Sequence, residues 1–429
     1  MRRSSVEAWL VAVAVTAALV AAAAWVVVPR GPALAEATLA AEEITPNADG
    51  LGDVTRITYR LIRPATVSIF FLDTAGTRFD FRREGRRGSG EFQVDFGGVV
   101  DGFRLPGDTL EGEILARVLP DGDYVWVIEA REDNGQEHTL RGSLRVRQAD
   151  TALPALDNLA VAPPVFAPNQ DGLDDRVRIL VGLAKDVADD GLRMELVSRD
   201  DPTTARPIAE SVLSVREPGQ AGVHEYDYDG GIDLGEQPPP DGDYLVRATA
   251  EDRVGQRVQV TRPLTIVNGG YPRAEIVLAD VEFSARTIIE GNTLVFTLTV
   301  QNYGVAPIRT TGPEPGHVYA SMDANYNATG FYQESGAFRV GIMCDTCQND
   351  FPWRWAIGSR DGLTLIPDSL GRPQYYLMPG QRTVVTGAIT LDRIVTSRNP
   401  QYFWAGLIHE EVNVYNNRSG LELIQIDPR

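Results

Sequence analysis

Cysteine occurs twice in 429 residues, histidine four times and lysine once. Two cysteines cannot build a disulfide framework, and they exclude a cysteine-only four-ligand zinc site within one chain. Lysine is confined to Lys185 while arginine supplies the other 39 basic side chains, which reads as genome composition. Positive charge is short overall: 40 basic against 59 acidic side chains give a formal charge of -19. Such a field repels a phosphate backbone, so nucleic acid is disfavoured as a partner. Catalytic signatures are also missing. There is no Gly-x-Ser-x-Gly elbow, no His-Glu-x-x-His, no phosphate-cradling Gly-Lys-Ser/Thr loop and no dinucleotide fingerprint. His409-Glu410-Glu411 lacks the second histidine of a zincin. Pairs of carboxylates suited to hydrolysis are inevitable among 59 acids and carry little information.

What is present begins at the amino terminus. Residues 8 to 28 carry no charge and follow Arg2 and Arg3. At about 1.5 Å per residue a helix of that length reaches across a bilayer core. The early arginines place the terminus in the cytoplasm and everything after Arg30 outside. The apolar run is long for a signal peptide, which favours a retained anchor over residues 1–30. Ala33-Leu34-Ala35 is nonetheless an acceptable cleavage site, and cleavage after Ala35 would give a secreted protein. Residues 31–40 read as a linker.

At about 150 residues per domain the length suggests three domains, and two of them are copies of one unit. Pro46-Asn47-Ala48-Asp49-Gly50-Leu51-Gly52-Asp53 recurs as Pro168-Asn169-Gln170-Asp171-Gly172-Leu173-Asp174-Asp175. Pro120-Asp121-Gly122-Asp123-Tyr124 recurs as Pro240-Asp241-Gly242-Asp243-Tyr244. Apolar residues alternate with polar ones at Ile57, Tyr59 and Leu61, at Val67, Ile69 and Phe71, and at Val177, Ile179 and Val181. Short alternating strands bounded by Gly, Pro, Asn and Asp predict an all-β chain of antiparallel sandwiches over 41–150 and 156–268. These two motifs, with the strand between them, resemble the immunoglobulin-like domain of the flagellar hook-capping protein. That resemblance implies a surface-protein module and no particular activity.

From 273 to 429 a third, larger sandwich is expected after the linker Thr265 to Pro272. Its opening, with Glu290-Gly291-Asn292, the alternating Leu294 to Gln301 and Asn302-Tyr303-Gly304, resembles the cell-adhesion-related domain of bacteria, also immunoglobulin-like. Residues 309–378 exceed a minimal sandwich and read as an insertion. Aromatic residues gather here, 18 of 34 lying in 271–429, and include Tyr326, Phe331 and Tyr332. Trp353, Trp355, Tyr375, Tyr376 and Trp404 form a candidate stacking surface for sugar or protein, the alternative being a larger core.

Two further features allow more than one reading. Asn47, Asp49 and Asp53, with Asn169, Asp171 and Asp175, suggest weak calcium sites; Arg56 and Arg178 stand where an EF-hand would place its bidentate glutamate, so the alternative is a set of Asx turns. Cys344 and Cys347 read as a local disulfide, the alternatives being a redox pair or half a zinc site completed by His317 and His409. No other cofactor is expected.

Taken together, the expectation is a membrane-anchored, extracytoplasmic, non-catalytic binding, adhesion or scaffold protein. The first two domains would act as spacers, and the third would meet a cell-surface protein or polysaccharide. The alternatives are a structural or accessory subunit of an envelope-spanning machine and a hydrolase concealed in the third domain.

Overall fold

The computed structural model describes residues 31–212, 214–277, 281–323, 334–392 and 396–429. The apolar 8–28 segment, Tyr326, Phe331 and Tyr332 lie outside the described residues. Among the described residues no helix is long and apolar enough to cross a membrane. The chain is all-β, with helical structure among the described residues limited to three-residue 3-10 turns.

Three separate hydrophobic cores organise the strands. In the first unit the strands Leu34–Leu39, Thr55–Leu61 and Gly90–Phe96 form one sheet. It faces a second sheet ordered Glu43–Ile44, Glu137–Val146, Gly122–Arg131, Ala65–Leu72 and Arg78–Arg87. The period-two pattern sets which side chains point inward: Ile57, Tyr59 and Leu61 are buried while Arg56 and Arg60 are exposed. Phe71 and Phe96 meet across the sheets with ring centroids 4.2 Å apart. The second unit repeats this plan, with Leu156–Ala162, Val177–Leu183 and Gly222–Tyr228 facing Gly242–Glu251, Arg257–Ile266 and Leu192–Ser198.

The second repeated motif has one mechanical role in both copies. The Tyr124 hydroxyl donates to the Pro120 carbonyl at 2.9 Å, and the Tyr244 hydroxyl to Pro240 at 2.7 Å. Asp121 accepts the Gln148 and Ala149 amides, and Asp241 accepts those of Asn268 and Gly269. Each motif thereby closes one end of its sandwich and fixes the exit of the last strand.

Two sequence expectations need correction. Residues 31–40 are not a linker: Leu34–Leu39 pairs antiparallel with Thr55–Leu61, and Ala33 and Leu34 lie in the first core at 0% and 2% exposure. Residues 309–378 are not an appended insertion. Phe338–Cys344 is a central strand pairing with both Trp353–Ala356 and Gln401–His409, and Phe338, Val340 and Ile342 are core residues. In both cases the strand was hidden because its polar neighbours and short length resemble connecting chain.

The first two units share a sheet. The hairpin Val99–Asp101 with Glu113–Val118 belongs to the first copy, whereas the second copy carries the 3-10 turn Ile232–Leu234 in its place. Glu113–Val118 pairs with Arg257–Ile266 of the second unit, Ile114 opposite Val258, so hydrogen bonding runs across the junction. Lys185 completes it. Its ammonium donates to Asp150 at 2.6 Å, Asp252 at 2.8 Å and the Ala152 carbonyl at 2.9 Å. The fully buried Gln256 adds bonds to the Asp150 and Ala152 carbonyls.

Candidate functional site

The eight-residue loop repeated at 46–53 and 168–175 folds the same way twice but meets different surroundings. In the first copy Asp53 accepts the amides of Asn47, Ala48 and Gly50 at 2.7–3.1 Å, Asn47 accepts that of Asp49, and Asp49 that of Leu51. In the second copy Asp175 accepts Asn169, Asp171 and Gly172, Asn169 accepts Asp171, and Asp171 accepts Leu173. The side-chain oxygens that suggested calcium are thus turned onto backbone donors. Among the described residues, no group of three or more His, Cys, Asp or Glu side chains is arranged to hold a metal.

The first loop faces solvent, with Leu51 76% exposed. The second is enclosed by the third unit. Arg309 donates from Nε to the Asp171 carbonyl at 2.7 Å, the Tyr376 hydroxyl donates to Asp171 Oδ2 at 2.9 Å, and His409 Nε2 donates to the Gln170 carbonyl at 2.7 Å. Glycine is required on both sides of the contact. A Cβ on Gly172 would stand 2.0 Å from the Ser335 carbonyl oxygen, and one on Gly336 would stand 2.0 Å from the Asp171 carbonyl carbon. Both glycines also occupy the left-handed region, with φ of 84° and 76°.

Enclosure reverses the electrostatics of the loop. Burial is the largest single influence on Asp53 and opposes its ionisation, but the amides of Asn47, Gly50 and Ala48 together outweigh it and hold its carboxyl below the usual range. Asp175 makes the same kind of bonds, yet burial and the nearby Asp171 charge push it up to about 7. Burial likewise raises Asp171 and drives His409 down to about 4. This second junction is therefore a buried polar network.

The five aromatic candidates do not form one surface. Trp353 and Trp355 are core residues at 3% and 0% exposure, which corrects their reading as a contact platform: they point inward from Trp353–Ala356 opposite Ile342 and Val340. Tyr376 belongs to the junction. Trp404 is half-buried beneath the Arg418 guanidinium, 4.9 Å from its ring centroid. Tyr375 lines a cleft of about 180 Å³ together with Arg360, Glu314 and Gln374.

Cys344 and Cys347 are joined by a disulfide with a Cα separation of 5.1 Å. His409 sits at the other end of the strand pair, since Phe338 faces His409 and Cys344 faces Phe403. That placement separates it from the cysteines with which the zinc reading grouped it. Glu410 is buried as well, bonded through both oxygens to Arg354 at 2.7–2.8 Å. Beside the disulfide lies a cavity of about 260 Å³ whose wall includes Trp353, Gln401 and Phe403. Neither this cavity nor the socket for the 168–175 loop was legible as such in the sequence. The only signal was the loop motif itself, which gives no sign of which copy is covered.

No known family profile matches the chain, and no curated protein matches it. Among solved structures, a tetra-tandem repeat from the extending region of a large adhesion protein is 13% identical, covering 91% of this chain and 73% of that one, with a TM-score of 0.20. A Ca²⁺-stabilized adhesin with which an Antarctic bacterium binds ice is 11% identical, covering 92% and 74%, with a TM-score of 0.22. Titin domains A168–A170 are 10% identical, covering 91% and 99%, with a TM-score of 0.23. Likenesses at these TM-scores carry no functional argument.

Proposed function

We propose that this chain is a membrane-anchored, extracytoplasmic binding or scaffold protein of three sandwich domains, in which the first two hold the third at a fixed distance and angle from the bilayer. One observation carries the reading: both junctions are built as structure. The first continues a β-sheet across two units, and the second seats a loop in a polar socket. Flexible spacers need neither feature.

The start of the first unit supports a retained anchor. Arg63 donates to the Gly31 carbonyl at 2.9 Å, and the Ile62 amide to that of Ala33 at 2.9 Å, so folded structure begins directly after the apolar segment. Cleavage after Ala35 would strip Ala33 and Leu34 from the first core. The role is non-catalytic: the buried acids and histidine of the second junction are committed to holding two domains together. The partner is a cell-surface protein or polysaccharide met by the third domain.

Crosslinking capture from intact envelopes tests this, comparing the full chain with Gly336→Val, whose side chain opens the second junction. Recovery of a surface partner by the native chain, reduced in the variant, is expected. No captured partner, or equal capture by both, would contradict the reading.

A further inference from the structure

The disulfide-lined cavity sits at a defined place in the assembly. Phe338–Cys344 begins beside Gly336, which touches the second unit, and ends at Cys344 on the cavity wall. Six residue-to-residue steps of strand at about 3.3 Å each separate the two ends by roughly 20 Å. The cavity therefore lies toward the pole of the third unit away from its junction with the second.

We propose that this cavity binds a neutral saccharide unit, a ligand assignment that rests on the third unit being the contact-presenting end. Its volume, about 260 Å³, lies just below the roughly 300 Å³ at which pockets for drug-sized ligands begin, which suits one sugar ring. The described lining contains no Lys, Arg or His, so none of those residues neutralises an anion. Its one carboxylate, Asp323, accepts the Ala320 amide at 2.9 Å.

The wall supplies hydrogen-bond donors. Gln401 is 4% exposed and its Oε1 is occupied by the Thr346 hydroxyl, which leaves its amide N–H groups without a partner among the described residues. Trp353 belongs to the same wall, with its indole N–H buried behind the cavity surface. Oxygen-rich neutral ligands satisfy such donors, while Pro352, Leu391 and Phe403 offer apolar contact to ring C–H groups.

The rim is already ordered. The disulfide closes the turn, the Cys347 amide donates to the Cys344 carbonyl at 3.1 Å, and Asp345 exchanges backbone and side-chain bonds with Tyr402. A rigid rim lowers the ordering cost of binding.

The test uses the full chain in a non-glycosidic detergent, titrated with neutral oligosaccharides of glucose, galactose, mannose and N-acetylglucosamine. Sialylated and sulfated counterparts form the second arm, acidic and neutral peptides a third, and saturation-transfer NMR is the readout. At least one neutral saccharide binds with a Kd below about 1 mM. Gln401→Leu weakens it about tenfold, and Tyr375→Ala in the other cleft leaves it unchanged. If Gln401→Leu unfolds the domain, Asn349→Ala, at an exposed residue lining the same cavity, reports the same loss. The proposal is overturned if no neutral saccharide binds at about 10 mM, if only acidic sugars or peptides bind, or if the cavity variants bind as tightly as the native chain. Envelope capture separates this failure from a wider one: capture that survives Gln401→Leu refutes the cavity but not the scaffold reading.

Discussion

Lys185 shows how much can rest on one side chain. An ammonium has three donors, and here three acceptors lie within 2.9 Å, two of them carboxylates from the first and second units. Burial works against the charge, but Asp150 and Asp252 raise the ammonium above its usual range. An ammonium aims its three donors tetrahedrally from one atom, whereas a guanidinium fans its donors in one plane from three nitrogens, so arginine is not a conservative replacement here. Lys185→Arg is expected to destabilise the first junction by about 1–3 kcal/mol in denaturant unfolding, with no change in the core of the third unit. Tyr376→Phe removes the donor to Asp171 at the other junction and leaves a buried carboxylate short of a partner. A similar loss of about 1–3 kcal/mol is expected there, read as earlier proteolysis between residues 266 and 274.

The repeated loop is an element whose chemistry depends on what covers it. Asp175, raised to about 7, binds a proton in the folded state that an unfolded aspartate near 3.9 releases, so it favours folding as pH falls from about 7 towards 4. His409, lowered to about 4, has the opposite sign: its contribution is complete above about 6.5 and is lost on acidification. Asp171, Arg309, Glu334 and Tyr376 share the same surroundings. Asp171 is raised as well and adds to the Asp175 slope, so the histidine and the two aspartates work against one another between about pH 4 and 6.5, which predicts a shallow profile for the native chain. Asp175→Asn exposes the histidine slope, so melting temperature falls on acidification below 6.5. His409→Gln exposes the aspartate slope, so it rises. Parallel profiles in the two variants would show that neither group governs the junction.

Strand periodicity and the two duplicated motifs made the all-β architecture and the repeat legible in sequence, because alternation at Ile57, Tyr59 and Leu61 reports burial directly. Burial of Trp353 and Trp355 was not legible, since an alternating aromatic pair looks the same on an outer face as on an inner one. The junctions were illegible for a deeper reason. Their partners are far apart in sequence, as with Asp171 and Tyr376 or Val258 and Ile114, and nothing local marks a loop or strand edge as covered.

At the scale of the whole molecule, -16 of the -19 formal charge falls on residues 41–270. The acidic pair of units should repel an anionic membrane surface and stand clear of it. Retention of the anchor predicts that the mature protein still contains Ala33 and Leu34; intact-mass analysis would show this, and an amino terminus at Glu36 would refute it. In the proposed arrangement the units form one rigid spacer. Double electron–electron resonance between spin labels at Ser89 in the first unit and Leu370 in the third measures it most directly. A single narrow distance distribution is predicted, broadened by Gly336→Val; a broad or multimodal distribution in the native chain would contradict the account.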